Sequence, residues 1–293
     1  MIRLVLLQLL VSLVVKGMTD HKQKSLGVCY YPEQWDPSIW PSDVKRMFEA
    51  GIRFVRIAEF SWVKVEPRSG EYRWDWLDRA IEILGAAGLK VVIGTPTATP
   101  PKWLIDSYKS EEILPYDALG IPREFGSRRH YSFSSPVYRN HSARIVELFA
   151  QRYGKNPHVA GWQLDNEYGC HDTVRTYDPN AQLQFRMWLK DKYSNDIQKL
   201  NQAWGNSFWS MDYGSFDEVD LPKHPVTEAN PAHRMDFFRF SSDQVISYNK
   251  MQIDIIKKYA DPDQFLTTNF MGFFFQFDSF KLGKELDFAT WDS

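Results

Sequence analysis

Residues 159–169 read Val-Ala-Gly-Trp-Gln-Leu-Asp-Asn-Glu-Tyr-Gly. The first six are mostly apolar, so they predict a buried strand that runs directly into the polar sequence Asp165-Asn166-Glu167. Residues 136–153 precede this strand and predict a helix, because Ser134-Ser135 can cap a first turn that contains proline. A helix that leads into a buried strand is typical of a parallel sheet covered by helices.

The same unit recurs on both sides of this stretch. The other predicted strands span residues 26–31, 53–60, 89–95, 265–269 and 286–291. The other predicted helices lie near residues 43–50, 74–87, 180–193 and 232–259. Gly51 follows the first of these helices and can end it in a left-handed conformation, and the second helix ends at Gly88. A long loop is predicted over 96–134, and an insertion with a Trp-rich stretch separates the fourth and fifth units.

Six strands alternating with helices indicate an α/β protein. A (β/α)8 TIM barrel needs eight strands, so we predict an incomplete barrel with about six of eight units. The predicted barrel domain spans residues 18–293 and is truncated before strand seven. The alternative is an open doubly wound sheet, which can end after six strands but usually carries a Gly-rich turn after the first one. Residues 30–35 read Tyr-Tyr-Pro-Glu-Gln-Trp at that position.

Composition narrows the classes of function. The 293 residues are 43% hydrophobic, enough for a substantial core, and 35 basic against 37 acidic residues give a net charge of -2. That balance provides no basic field for phosphates, so we expect no nucleic-acid partner. Two cysteines exclude a disulfide framework. The 15% aromatic content suits the stacking of sugar rings.

The amino terminus leaves two alternatives open. An apolar run extends from Leu4 to Val15, which is shorter than the roughly 20 residues of a membrane span, so no membrane partner is expected. Residues 1–17 can be read as a signal-like segment, although Lys16 stands where small residues should precede cleavage. Alternatively, translation starts at Met18. The second interpretation predicts a cytoplasmic protein and the first a secreted one.

Carboxylates follow several predicted strands, where barrel enzymes gather their active sites. They are Glu33, Glu59, Asp165, Glu167 and Asp292. The pair Asn166-Glu167 suits a glycoside hydrolase, in which a carboxyl protonates the leaving oxygen and an amide binds a neighbouring sugar hydroxyl. A structural alternative is also open: Glu167 would pair with Arg128 or Arg175, and Asn166 would cap the following helix. Motifs of P-loop proteins, serine esterases and zinc proteases do not occur.

Six segments together resemble glycoside hydrolase family 42, the β-galactosidases. They are residues 26–35, 56–62, 95–103, 126–132, 162–169 and 267–272. The resemblance implies a (β/α)8 barrel and a retaining mechanism without a cofactor. It also implies that Glu167 is the proton donor, that Asn166 and Arg128 bind the galactoside substrate, and that association into a homotrimer is possible. The nucleophile it implies, a glutamate after strand seven, lies beyond Ser293.

The family's zinc-binding cysteines correspond to positions without a thiol here. These are Ser132, Thr176, Asp178 and Ala181. We therefore predict no metal, interpret Asp178 as a solvated loop residue, and regard Cys170 beside His171 as incidental.

Four further features surround this predicted site. Glu59 is expected in the site wall, and Asp292 is expected to position substrate or a neighbouring side chain. Trp209 is a candidate for stacking on galactose, with core packing as the alternative. The Phe-rich run 270–277 is expected to divide between site wall and core.

Three hypotheses of function remain. The first is hydrolysis of terminal β-D-galactose residues from β-D-galactosides. The second is a non-catalytic galactoside-binding protein, because the chain lacks the implied nucleophile. The third is a retaining barrel glycosidase that acts on another sugar.

Overall fold

The computed structural model describes residues 25–292. The amino-terminal segment 1–17 and the alternative start at Met18 lie outside the described residues. Five strands form one parallel sheet in sequential order. They are β1 (Leu26–Cys29), β2 (Ile52–Ile57), β3 (Lys90–Gly94), β4 (Val159–Gln163) and β5 (Phe265–Thr267). Because the order runs without reversal, the doubly wound alternative is wrong and the barrel prediction is confirmed.

The fifth and sixth predicted strands differ from expectation in detail. The predicted fifth strand is interrupted at Thr268. The next strand, β6 (Asn269–Met271), pairs in parallel with β7 (Thr290–Asp292). The sixth strand was predicted from residue 286, four residues too early. Asp287 instead makes two hydrogen bonds with the backbone of Leu266. Its amide donates to the Leu266 carbonyl at 3.0 Å, and its carboxylate accepts from the Leu266 amide at 2.6 Å. A side chain therefore replaces part of the strand ladder.

Helices surround the sheet close to their predicted bounds. The long ones are α1 (Trp40–Glu49), α3 (Asp75–Ala86), α6 (Pro136–Tyr153), α7 (Pro179–Lys192) and α9 (Pro231–Tyr259), and the shorter ones are α2 (Trp62–Val65), α4 (Lys102–Asp106), α5 (Ser110–Ile113), α8 (Ile197–Trp204) and α10 (Ser279–Gly283). The Ser135 hydroxyl accepts from the Tyr138 amide at 3.1 Å and caps α6, as predicted. Gly51 has a φ of +84°, which confirms the left-handed helix end predicted there, and Gly88 after the second helix has the same φ.

Two apolar cores lie within this arrangement. The larger one joins the sheet to α3, α6 and α9 and includes Val55, Ile93 and Trp162, all fully buried. The insertion after β4 has its own core, in which Phe185, Trp204 and other side chains of α7, α8 and α9 pack together. Among the described helices, none is both long and apolar enough to cross a bilayer.

Candidate active site

The polar turn after β4 has an unusual backbone. Asp165 and Glu167 have φ values of 55° and 46°, in the left-handed region that non-glycine residues rarely occupy. Hydrogen bonds fix this turn: the Asp165 amide donates to Thr95 Oγ1 at 2.7 Å, and the Glu167 amide donates to Asn269 Oδ1 at 3.0 Å. Strain of this kind persists where surrounding contacts determine it, and it is common at functional sites.

Three of the four predicted site residues lie together at this turn. Arg128 Nη2 is 2.7 Å from Glu167 Oε2, and Asn166 Nδ2 lies 3.4 Å from the same oxygen. The Arg128 and Glu167 side chains are 26% and 19% exposed, so the pair is partly accessible to solvent. The Arg128 pairing foreseen by the structural alternative is thus present. It leaves the catalytic role open, because an accessible ion pair can exchange partners with a ligand.

The rest of the structural alternative is wrong. Asn166 caps no helix: its Oδ1 accepts from Asn269 Nδ2 at 3.0 Å, and Asp178 caps the helix that follows. Arg175 does not pair with Glu167, since its guanidinium lies 3.6 Å from the centre of the Phe238 ring. Arg128 is therefore the arginine that the structure brings to Glu167.

Asn269 and Asp292 extend the site across β6 and β7. Asn269 Nδ2 donates to Asp292 Oδ2 at 2.7 Å as well as to Asn166. Burial raises the pKa of Asp292, and the nearby Glu167 carboxyl raises it further, while the Asn269 bond and Arg56 oppose the shift. Asp292 thus positions a neighbouring side chain. Asn269 was not predicted as a site residue; its place at the carboxyl end of the predicted fifth strand was the available signal.

Glu59 follows β2, and its side chain is fully buried. Its place in the site wall stays a prediction. Its Oε1 accepts from Tyr31 at 3.0 Å and from Arg56 Nε at 3.0 Å, and Arg56 also donates to Gln163. Gly94 allows the close approach of β3, because a Cβ there would lie 2.4 Å from the Glu59 Cβ. Glu59 is therefore held away from open solvent.

Comparison with known proteins identifies the family. A sequence profile of glycoside hydrolase family 42, described as beta-galactosidase, matches residues 29–293. This chain belongs to family 42.

It is 57% identical to a beta-galactosidase from Thermus thermophilus, over 92% of this chain and 41% of the relative. The crystal structure of a beta-galactosidase from the psychrophilic Marinomonas ef1 aligns at a TM-score of 0.90 with 53% identity, covering 92% of this chain and 40% of that one. A solved structure of a beta-galactosidase from the Antarctic haloarchaeon Halorubrum lacusprofundi aligns at a TM-score of 0.89 with 50% identity and the same coverage.

These findings confirm the resemblance and the barrel fold. The chain spans about two fifths of the length of the relatives it matches.

Trp209 is the fourth predicted site residue of this family 42 chain. It is 74% exposed, so the alternative of core packing is wrong. Its ring centre lies 4.6 Å from that of Phe208. Among the described residues no hydrogen bond or ring contact joins it to Arg128, Asn166 or Glu167. Stacking of Trp209 on galactose stays a prediction.

The core part of the prediction for the Phe-rich run is confirmed, and its place in the site wall stays a prediction. Phe273 and Phe275 are 96% and 84% exposed, whereas Phe277 is buried in the main core.

The positions that correspond to the family 42 zinc cluster form a hydrogen-bonded group. Asp178 was predicted to be a solvated loop residue, and this prediction is wrong. Its side chain is fully buried at the amino terminus of α7. Its carboxylate accepts from Thr176 Oγ1 at 2.8 Å and from the amides of Asn180 and Ala181 at 2.9 and 3.1 Å. Burial raises the pKa of Asp178, and these donors oppose the shift. Within residues 25–292 no group of three or more His, Cys, Asp or Glu side chains is arranged to hold a metal ion.

Proposed function

We propose that the full-length protein that carries this chain hydrolyses terminal β-D-galactosides with retention of configuration. The observation that carries the proposal is the grouping of Glu167 with Arg128 and Asn166 at the carboxyl end of β4. The names of the family 42 relatives support the same activity.

The proposed chemistry assigns a step to each group. Arg128 leaves Glu167 when substrate binds and donates to galactose hydroxyls, and Asn166 binds the hydroxyl beside the reacting carbon. Without its cation and shielded from water by the sugar, the Glu167 carboxyl takes up a proton and transfers it to the leaving oxygen. It then removes a proton from the attacking water. By resemblance the nucleophile is a glutamate after strand seven, beyond Ser293. No cofactor or metal takes part.

Substrate profiling of the full-length protein tests the proposal. Nitrophenyl β-galactoside should be cleaved in preference to the β-glucoside and α-galactoside, and proton NMR should detect β-galactose as the first product. Preference for another β-glycoside would point to a different sugar specificity, and galactose binding without turnover would point to a non-catalytic protein. Initial release of α-galactose would contradict retention.

A further inference from the structure

A second ion pair joins the same two segments as Arg128 and Glu167. Arg129 contacts Asp165 through Nη1 and Oδ1, and both side chains are fully buried. Each partner is a close neighbour in sequence of a residue in the site pair: Arg129 follows Arg128, and Asp165 precedes Glu167 by two positions. The Arg128–Glu167 pair is partly exposed to solvent, whereas the side chains of the Arg129–Asp165 pair have no solvent contact.

The Asp165 carboxylate is saturated with hydrogen-bond donors. Besides Arg129, Oδ1 accepts from the Asn166 amide at 2.7 Å, and Oδ2 accepts from Thr97 Oγ1 at 2.6 Å and Tyr131 Oη at 3.3 Å. An ionised carboxylate has about four acceptor sites, so each is used. These donors come from the end of β3, from the segment that carries Arg128, and from the turn that carries Glu167.

The segments that carry Arg129 and Asp165 both have strained backbone conformations. Arg129, like Asp165 and Glu167, has a left-handed φ, of 70°, and its amide donates to the Ala98 carbonyl at 3.0 Å. Such conformations are disfavoured for L side chains and persist where contacts determine them. Of the four hydrogen bonds at Asp165, those from Arg129 and Tyr131 join the two strained segments.

We propose that Asp165, through its buried pair with Arg129, is the positioning residue of the active site. It sets the distance between Arg128 and Glu167 and the direction of Asn166. This inference rests on the proposed function for its kinetic consequences, but its geometric consequence is independent of activity.

Asp236 provides a matched control in the insertion core. It is also buried and also accepts from four donors: Lys192, Tyr193, Trp204 and Arg239. No contact joins it to Arg128, Asn166 or Glu167 within the described part of the chain. Asp236→Asn therefore removes the same kind of buried charge without disturbing the site.

The kinetic test compares Asp165→Asn with Asp236→Asn in the full-length protein. For Asp165→Asn, kcat on nitrophenyl β-galactoside should fall on the order of 100-fold, because small displacements of catalytic groups have effects of that size. KM should rise as well, because Arg128 and Asn166 contact the sugar. Asp236→Asn should lower thermal stability but leave KM and the kcat of the folded protein unchanged. Unchanged kinetics in folded Asp165→Asn would overturn the proposal.

A milder pair of variants covers the case in which Asp165→Asn does not fold. Thr97→Val removes the 2.6 Å hydrogen bond to Asp165 and a longer 3.5 Å contact with Gln252. It should raise KM and lower kcat to a smaller extent, whereas Thr97→Ser should restore both. If Thr97→Val retained wild-type kinetics, or Thr97→Ser behaved like valine, the positioning role would be excluded.

Crystal structures separate this inference from the proposed function. The 2.7 Å contact between Arg128 and Glu167 should be lost in Asp165→Asn or Thr97→Val with the barrel intact. If the wild-type protein cleaves no β-galactoside but this contact is lost in the variants, the proposed function fails and the positioning role stands. If the contact survives, the positioning role fails whatever the activity.

Discussion

At the residue scale, Arg128 contacts Glu167 at 2.7 Å. We propose that its guanidinium binds the sugar instead when substrate is present. Arg128→Ala should weaken galactoside binding by about 1.5–3 kcal/mol, as expected for a hydrogen bond to a charged group. The measurement is KM and kcat of the full-length protein on nitrophenyl β-galactoside. Arg123→Ala is the control, because the exposed Arg123 donates only to the Asp172 carbonyl. Equal kinetics for the two variants would place Arg128 outside the site.

Glu33 predicts a pH dependence of stability. Burial raises its pKa to about 7, and the Glu59 carboxylate contributes to the shift. The folded state therefore favours the protonated carboxyl, and this stabilisation is complete below about pH 4.5 and is lost as pH rises through 7. The change is at most about 3 kcal/mol, given 1.36 kcal/mol per pKa unit. Glu33→Gln cannot ionise, so its Tm relative to the wild type should increase between pH 5 and 8. A constant difference in Tm over that range would contradict the assignment.

At the element scale, helices were predictable and the ends of the last strands were not. The Ser134-Ser135 caps and the first-turn proline placed α6 at its observed bounds, because both are local signals of a helix start. The break at Thr268 depends on contacts between distant segments: its hydroxyl donates to the Leu164 carbonyl at 2.7 Å. Local sequence carries no signal for such a bond. For the same reason Asn166 and Glu167 could be predicted from one strand end, but their contacts with Asn269 could not.

The pairing of β2 and β3 depends on Gly94. In Gly94→Ala the added Cβ would lie 2.4 Å from the Glu59 Cβ and 2.7 Å from its Cα. Because backbone cannot yield as a flexible side chain can, we expect a loss of stability of at least about 1–3 kcal/mol. Thermal unfolding of the full-length protein measures this loss. Gly283→Ala is the control, since nothing lies within 4 Å of its added Cβ. Equal Tm values for both variants would show that the two strands can separate at little cost.

At the scale of the whole molecule, the sequential parallel sheet was predictable because each βα unit has its own local pattern. The separate core of the insertion was not, since it forms only when α7, α8 and the start of α9 meet. The exposure of Trp209 follows from the same assembly. Burial of Asp178 was missed because its donors Thr176 and Ala181 were considered as metal positions and not as parts of a helix cap.

A polypeptide limited to residues 1–293 should associate in solution and lack activity. Within residues 25–292, β1 pairs only with β2, and Trp291 in β7 is 71% exposed. Unpaired edges and exposed apolar side chains recruit other chains. Glu167 without an opposing carboxylate cannot complete a double displacement. Light scattering and a nitrophenyl β-galactoside assay test both points. A monodisperse product with turnover that Glu167→Gln abolishes would contradict them.

The role of Glu167 as proton donor is the centre of the account, and leaving-group dependence in full-length Glu167→Gln tests it most directly. The amide keeps the shape of the side chain but has no proton to give. The rate on lactose should fall by on the order of 100-fold to 10,000-fold, as expected for loss of general acid catalysis. Cleavage of the glycosidic bond in a dinitrophenyl β-galactoside should be affected far less, because that leaving group needs little protonation.

The control is Glu147→Gln, which should behave as wild type. Glu147 lies on α6 and accepts a hydrogen bond from Tyr259. Hydrolysis of lactose by Glu167→Gln at the wild-type rate, or an equal loss on both substrates, would contradict the assignment of Glu167.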